Sequence, residues 1–188
     1  LKIMPDYKYN YLNIANAQYL LKDYANAIKD YKIFLAQYPD NTQAIKSLAA
    51  CYLDNKEYEK AAQTYEDSIK SSSSSFDEYG SYGLALLRSG KYDEAQKAFL
   101  KAVKINPKDY TSMGNLAVVQ AHLNLDNLAL ESFRKTFELK PDLYSLKFDY
   151  DALLTKMGKY DEAIVAYNDY LKKYPNDTNA YLNLGILY

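Results

Sequence analysis

The sequence predicts an all-α solenoid of stacked helix pairs, and three observations lead there. All five prolines, Pro5, Pro39, Pro107, Pro141 and Pro175, fall on one grid of 34 residues, whose empty mark is held by Ser73. Within each interval apolar residues run twice at helical spacing, first as Tyr11, Ile14 and Ala15, then as Tyr24, Ala27, Tyr31 and Phe34. Small residues recur in phase, as Ala15, Ala49, Gly83 and Ala117 in the first helix and Ala27, Ala61, Ala95, Ala129 and Ala163 in the second. A period of about 20 to 50 residues marks an array in which each unit packs on its neighbours, so length does not set a domain count.

The grid divides the chain into full units Lys8–Asn41, Thr42–Ser75, Phe76–Asp109, Tyr110–Leu143 and Tyr144–Asp177. Residues 1–7 read as the end of a preceding unit and residues 178–188 as the start of another, so the 188 residues form a single array expected to be a piece of a longer protein. In each unit the first helix ends where Gly90, Asn124 or Gly158 can take a left-handed backbone. The second opens on acids such as Asp93-Glu94 or Asp161-Glu162, suited to the positive end of its dipole. The proline stops it, and Asp40-Asn41, Asp109 or Asn176-Asp177 can cap the next helix.

Three units depart from this plan. Ser71–Ser75 replace the end of a second helix, its proline and the cap, which reads as a loosened surface turn, with a hinge or a phosphorylated segment as alternatives. In the fourth unit Leu125-Asp126 stand where a charged residue and a tyrosine are expected, predicting a slightly altered turn. The fifth places Asp151 at the small-residue position and Lys147 at the opening aromatic one, which puts its packing in question.

The best-formed unit carries Tyr79, Tyr82, Gly83, Leu86, Tyr92, Ala95, Phe99, Ala102 and Pro107, and the last partial unit repeats its first half as Tyr181, Leu184, Gly185 and Tyr188. This pattern resembles the tetratricopeptide repeat family over essentially the whole chain. The resemblance implies a right-handed superhelix of antiparallel helix-turn-helix units whose first helices line a concave surface, and a protein-interaction scaffold as its function.

The net charge is -1, with 25% charged residues of both signs interspersed, which argues against nucleic acid as a partner. No apolar run is long enough to cross a bilayer, so a soluble protein without membrane insertion is expected, the cytoplasm being favoured. Cys51 is the single cysteine, so an internal disulfide and a cysteine-built metal site are excluded; at an apolar position it reads as a small buried residue. His122 is the single histidine, and no motif places a nucleophile or a second ligand beside it. No enzyme, cofactor or metal is expected. Of the 22 tyrosines, Tyr24, Tyr58, Tyr92 and Tyr160, and Tyr31, Tyr65 and Tyr167, occupy two framework positions and read as core, their hydroxyls reaching solvent or backbone at its edge.

By the resemblance, the concave groove is lined in the first unit by Tyr9, Leu12, Asn13, Asn16 and Tyr19, and in the second by Lys46 and Ser47. Further along it are Ser81, Leu84 and Arg88, then Asn115 and His122, then Phe148 and Asp149, and finally Asn179 and Asn183. Asn13, Asn115 and Asn183 share one position, with Ser47, Ser81 and Asp149 between them, forming a row of short polar side chains able to hydrogen-bond a peptide backbone without reading its sequence. The family's subtype that grips a terminal carboxylate of chaperones needs lysine paired with asparagine; Leu12/Asn16, Lys46/Ala50 and Phe148/Ala152 do not supply it. The expected partner is therefore a protein or extended peptide. The alternatives are self-assembly through terminal repeats, where Tyr181, Leu184, Leu187 and Tyr188 form an apolar face, and a docking arm for a catalytic domain elsewhere.

Overall fold

The computed structural model describes residues 10–71 and 75–188. Two sequence expectations, the groove position of Tyr9 and the loosened turn or hinge of the serine tract at residues 72–74, lie outside the described residues. Two compact units divide the chain, Leu1–Ile105 and Asn106–Tyr188. The first holds α1 (Asn10–Leu20), α2 (Tyr24–Gln37), α3 (Thr42–Asp54), α4 (Tyr58–Ser71), α5 (Phe76–Arg88) and α6 (Tyr92–Ile105). The second holds α7 (Tyr110–His122), α8 (Asp126–Leu139), α9 (Lys147–Lys156), α10 (Tyr160–Lys173) and α11 (Thr178–Leu187), with a short 3-10 turn, Tyr144–Leu146, ahead of α9. The fold is an all-α helical repeat.

The second helices α2, α4, α6, α8 and α10 start 34 residues apart and are each 14 residues long. Before each of them one residue takes the left-handed conformation: Lys22, Lys56, Gly90, Asn124 and Gly158, with φ between 58° and 78°. Its N–H closes onto the carbonyl three residues back and the next N–H onto the one five back, as Asn124→Ala121 and Leu125→Gln120. That pattern is the same in all five turns, so Leu125-Asp126 do not alter the fourth. Backbone hydrogen bonds define this turn, and Leu125 and Asp126 both lie past the left-handed residue.

The small positions are where helices meet. Ala15, Ala27, Ala49, Ala61, Ala95, Ala117, Ala129 and Ala163 have no exposed surface. A methyl added at Gly83 would lie 2.8 Å from Cε1 of Phe99, so the glycine is what lets that ring seat. Tyr31, Tyr65, Phe99, Phe133 and Tyr167, at one equivalent position in the five repeats, are each buried within their own unit. The other tyrosine set is less buried than its framework position suggests: Tyr24, Tyr58 and Tyr92 are half-buried and Tyr160 is 54% exposed, because they open the second helix at its outer end.

First helices are capped where the sequence supplies an acceptor. Asn41 accepts from Ala44 N–H at 2.9 Å, Asp109 from Thr111 and Ser112 N–H at 3.2 Å, and Asp177 from Asn179 and Ala180 N–H. Ser75 does the same for Glu78 N–H at 3.3 Å, so the serine tract keeps the cap it was expected to lose. The fifth repeat has Leu143 at this position, no side-chain cap forms, and its helix starts with the 3-10 turn. Its Lys147 fills the aromatic slot with its stem, the ammonium lying 5.3 Å from the Phe137 ring centroid and 3.3 Å from Asp169 Oδ2. Asp151 is accommodated at the small-residue position with 1% of its surface exposed.

Candidate functional site

The groove positions fall on the first helices, and each unit builds its own stretch. In the first unit a hollow of about 260 Å³ lies between α3 and α5, lined by Lys46, Ser47, Ala50, Tyr65, Glu78 and Ser81 among others. Its lysine is neutralised from below. Lys46 Nζ lies 2.9 Å from Oε2 of the buried Glu78, whose Oε1 accepts from Ser68 Oγ at 2.6 Å. The groove residue Lys46 is thus half of an ion pair.

The polar row has an internal partner that sequence inspection missed. Tyr65 is raised to about 12 by burial, and a hydrogen bond from Ser81 pulls the other way. Burial likewise raises Tyr31, opposed by Ser47, and Tyr167, opposed by Asn183. Each bond joins the buried tyrosine of one second helix to the row residue of the next first helix, 16 positions on. The tyrosine hydroxyls therefore end on side chains instead of solvent or backbone. Tyr31 also donates to Asn16 Oδ1 at 2.7 Å, and Tyr19 to Asp54 Oδ2 at 2.6 Å, which pushes the Tyr19 phenol upward. Asn16 and Tyr19 are thereby engaged within the repeat stack. Leu12 and Leu84 are half-buried, while Asn13 and Arg88 are exposed.

In the fourth repeat, within the second unit, the position of the buried tyrosine is taken by Phe133, which has no hydroxyl to offer the row residue Asp149. Asp149 instead faces a hollow of about 240 Å³ between α7 and α9, floored by Val118, Ala121, Ala152 and Leu153 and rimmed by His122 and Lys156. Desolvation raises the Asp149 carboxyl and His122 draws it back. Lys156 Nζ is held 2.7 Å from Asp126 Oδ1 and 2.9 Å from Asn124 Oδ1, which fixes it at one end of the rim. The structure thus brings His122 and Asp149 together across successive first helices. Phe148 and Tyr167 meet edge to face, centroids 6.4 Å apart, and Phe148 remains partly exposed. Asn115 is half-buried on α7, and Asn179 lies exposed at the start of α11, its N–H on the Asp177 cap. An apolar floor with a few polar groups at its rim suits one side chain of an extended segment, with its backbone running past the row.

The apolar face expected on the last helix is rearranged. Leu184 is buried and Leu187 half-buried against α10, whereas Tyr181, Leu182, Ile186 and Tyr188 are exposed, the last at 85%. Among the described residues no group of three or more His, Cys, Asp or Glu could hold a metal ion, and no helix is long and apolar enough to cross a membrane.

Three family models, each described as tetratricopeptide repeat, match residues 12–76, 76–109 and 145–187. The Hsp70-Hsp90 organizing protein 1 of Glycine max is 30% identical over 156 residues, which is 83% of this chain and 26% of that protein. The chain therefore spans about a quarter of that relative's length. Among solved structures, MamA 41-end from Desulfovibrio magneticus RS-1 superposes with a TM-score of 0.86 at 15% identity, covering 94% of this chain and all of the other. YrrB, described as a TPR protein with an unusual peptide-binding site, superposes with a TM-score of 0.80 at 17% identity, covering 91% and 88%. At these identities the two structures establish the fold.

Proposed function

We propose, from the premise that the chain belongs to the tetratricopeptide repeat family, that it is a protein-interaction module holding an extended peptide or protein segment along its first helices. The observation that carries this is the apolar-floored hollow between α7 and α9, where Asp149 and His122 stand at the rim. A hollow of this size takes an aliphatic or small aromatic side chain, and the rim groups hydrogen-bond the backbone on either side. The walls are helices fixed by buried alanines and aromatics, so binding orders little on the protein side. No catalytic step is assigned to the chain. The organizing-protein relative and the peptide-binding structure fit this reading.

Selection of a random peptide library against the immobilised chain tests it, with counter-selection on a variant carrying His122→Ala, Asp149→Ala and Ala152→Leu. Peptides that bind the parent at micromolar affinity and the variant at least tenfold more weakly are expected. Peptides bound equally by both would remove the hollow as the site. A second reading, self-association, is favoured by the exposed Tyr181, Leu182, Ile186 and Tyr188. Light scattering over a wide concentration range separates the two, since a strict monomer leaves no role for that face.

A further inference from the structure

Asp151 occupies the position held by Ala15, Ala49, Gly83, Ala117 and Gly185 in the other repeats. Its side chain is sealed from solvent and its Oδ1 has no hydrogen-bond partner, so an ionised carboxylate there is poorly compensated. The charged group that faces it is Lys147 on its own helix, itself committed to Asp169 and to the ring of Phe137. From α10 the titratable groups that feel its charge are Tyr167 and Tyr170. Asn183 of α11, bonded to Tyr167, carries no charge. From α8 the rings of Phe133 and Phe137 pack against Tyr150 of α9, and Arg134 is directed to Tyr150 and Glu162. Burial therefore dominates, and the carboxyl is pushed up to about 7, with Lys147 pulling the other way. The same helix starts without a cap, and its Asp149, Ala152, Leu153 and Lys156 form one wall of the hollow.

We infer that α9 is a proton-gated wall: it packs on α10 and completes the hollow while Asp151 is neutral, and it loosens when Asp151 ionises. The effect on binding rests on the groove reading above; the gated packing stands without any ligand. An acid whose pKa is higher in the packed state than in the open one holds its proton more tightly when packed. The packing advantage is therefore full at low pH and declines as pH rises from the ordinary 3.8 to about 7.

The test is amide hydrogen exchange of α9 in the whole chain at about pH 5.5 and about pH 8, corrected for intrinsic rates, with carbon-detected titration of the Asp151 carboxyl. The open state of α9 is expected to gain on the order of 30-fold across that interval. Asp151→Ala, the residue of three other repeats, and Asp151→Asn should both abolish the gain. Unchanged α9 protection in the parent, a carboxyl midpoint near the ordinary aspartate value, or the same gain in Asp151→Ala would each overturn the inference. No peptide enters the measurement, so a groove that binds nothing leaves the result standing, and a failed gate leaves the groove still testable by selection.

Discussion

Ser68 on α4 donates to Glu78 on α5 at 2.6 Å, and both side chains are buried. The other oxygen of Glu78 meets Lys46 at 2.9 Å, so one carboxylate is shared between a second helix and two first helices. The bridge joins the helices on either side of the serine tract. Between α2 and α3 the equivalent positions hold a large and a small apolar residue, Phe34 and Ala44, both buried. Here a polar bridge replaces them.

Removing Ser68 Oγ leaves the buried Glu78 carboxylate short of a hydrogen bond, and removing Lys46 leaves it without its counter-ion. Lys46→Met should lower stability by about 1–3 kcal/mol and Ser68→Ala by roughly 1 kcal/mol, read from urea melts. The value for Lys46→Met lies below that of a fully buried pair because Lys46 is partly solvated. If both variants melt with the parent, the bridge contributes nothing to the joint.

The helical glycines Gly83 and Gly185 occupy equivalent positions and should respond oppositely to alanine. At Gly83 the new methyl meets the Phe99 ring at 2.8 Å, and with that ring fully buried the repacking should cost about 1–3 kcal/mol. At Gly185 nothing lies within 4 Å, so the higher helix propensity of alanine should stabilise by roughly 0.5–1 kcal/mol. Thermal melts of the two variants decide it, and a stabilised Gly83→Ala would mean that the first helix can move away from α6.

The contrast shows what the sequence makes legible. Period, helix pairs and small positions follow from Pro39, Ala95, Gly83 and their copies, because packing constraints repeat and leave a repeating trace. The turns were only half visible. Gly90, Asn124 and Gly158 announce a left-handed residue, but Lys22 and Lys56 adopt the same conformation with φ of 62° and look like any surface lysine, because the surrounding hydrogen bonds impose the turn. The groove was legible by position and not by state. Ser47, Ser81 and Asn183 are bonded to tyrosines that precede them by 16 residues, and Lys46 to a glutamate 32 residues on, pairings that exist after the helices stack.

Cys51 is fully buried with its Sγ 3.5 Å from Tyr24 O, and burial pushes its thiol up to about 11, with Asp54 and Glu57 adding to the effect. The thiolate is the reactive form, so alkylation of the native chain near pH 8 should be at least a hundredfold slower than in denaturant. A raised thiol also binds its proton more tightly in the folded state. Its contribution is therefore complete below the ordinary 9.0 and lost progressively toward 11. Rapid modification by a maleimide under native conditions would show that α2 and α3 separate on the labelling timescale.

The start of α9 offers the most direct repair. Asn41, Ser75, Asp109 and Asp177 each accept an N–H from the first turn that follows, and Leu143 in the same place accepts none. With orphan donors at its start, the chain tightens into the 3-10 turn Tyr144–Leu146 before α-helical bonding begins. Leu143→Asp should restore the acceptor, place a negative charge at the positive end of the helix and extend α9 back toward Tyr144. The expected gain is about 0.5–2 kcal/mol, less whatever packing the half-buried leucine supplies. Backbone chemical shifts of residues 144–147 moving to helical values, with a higher melting temperature, would bear this out. A more helical start with no gain in stability would locate the strain of this repeat at Asp151 and not at its missing cap.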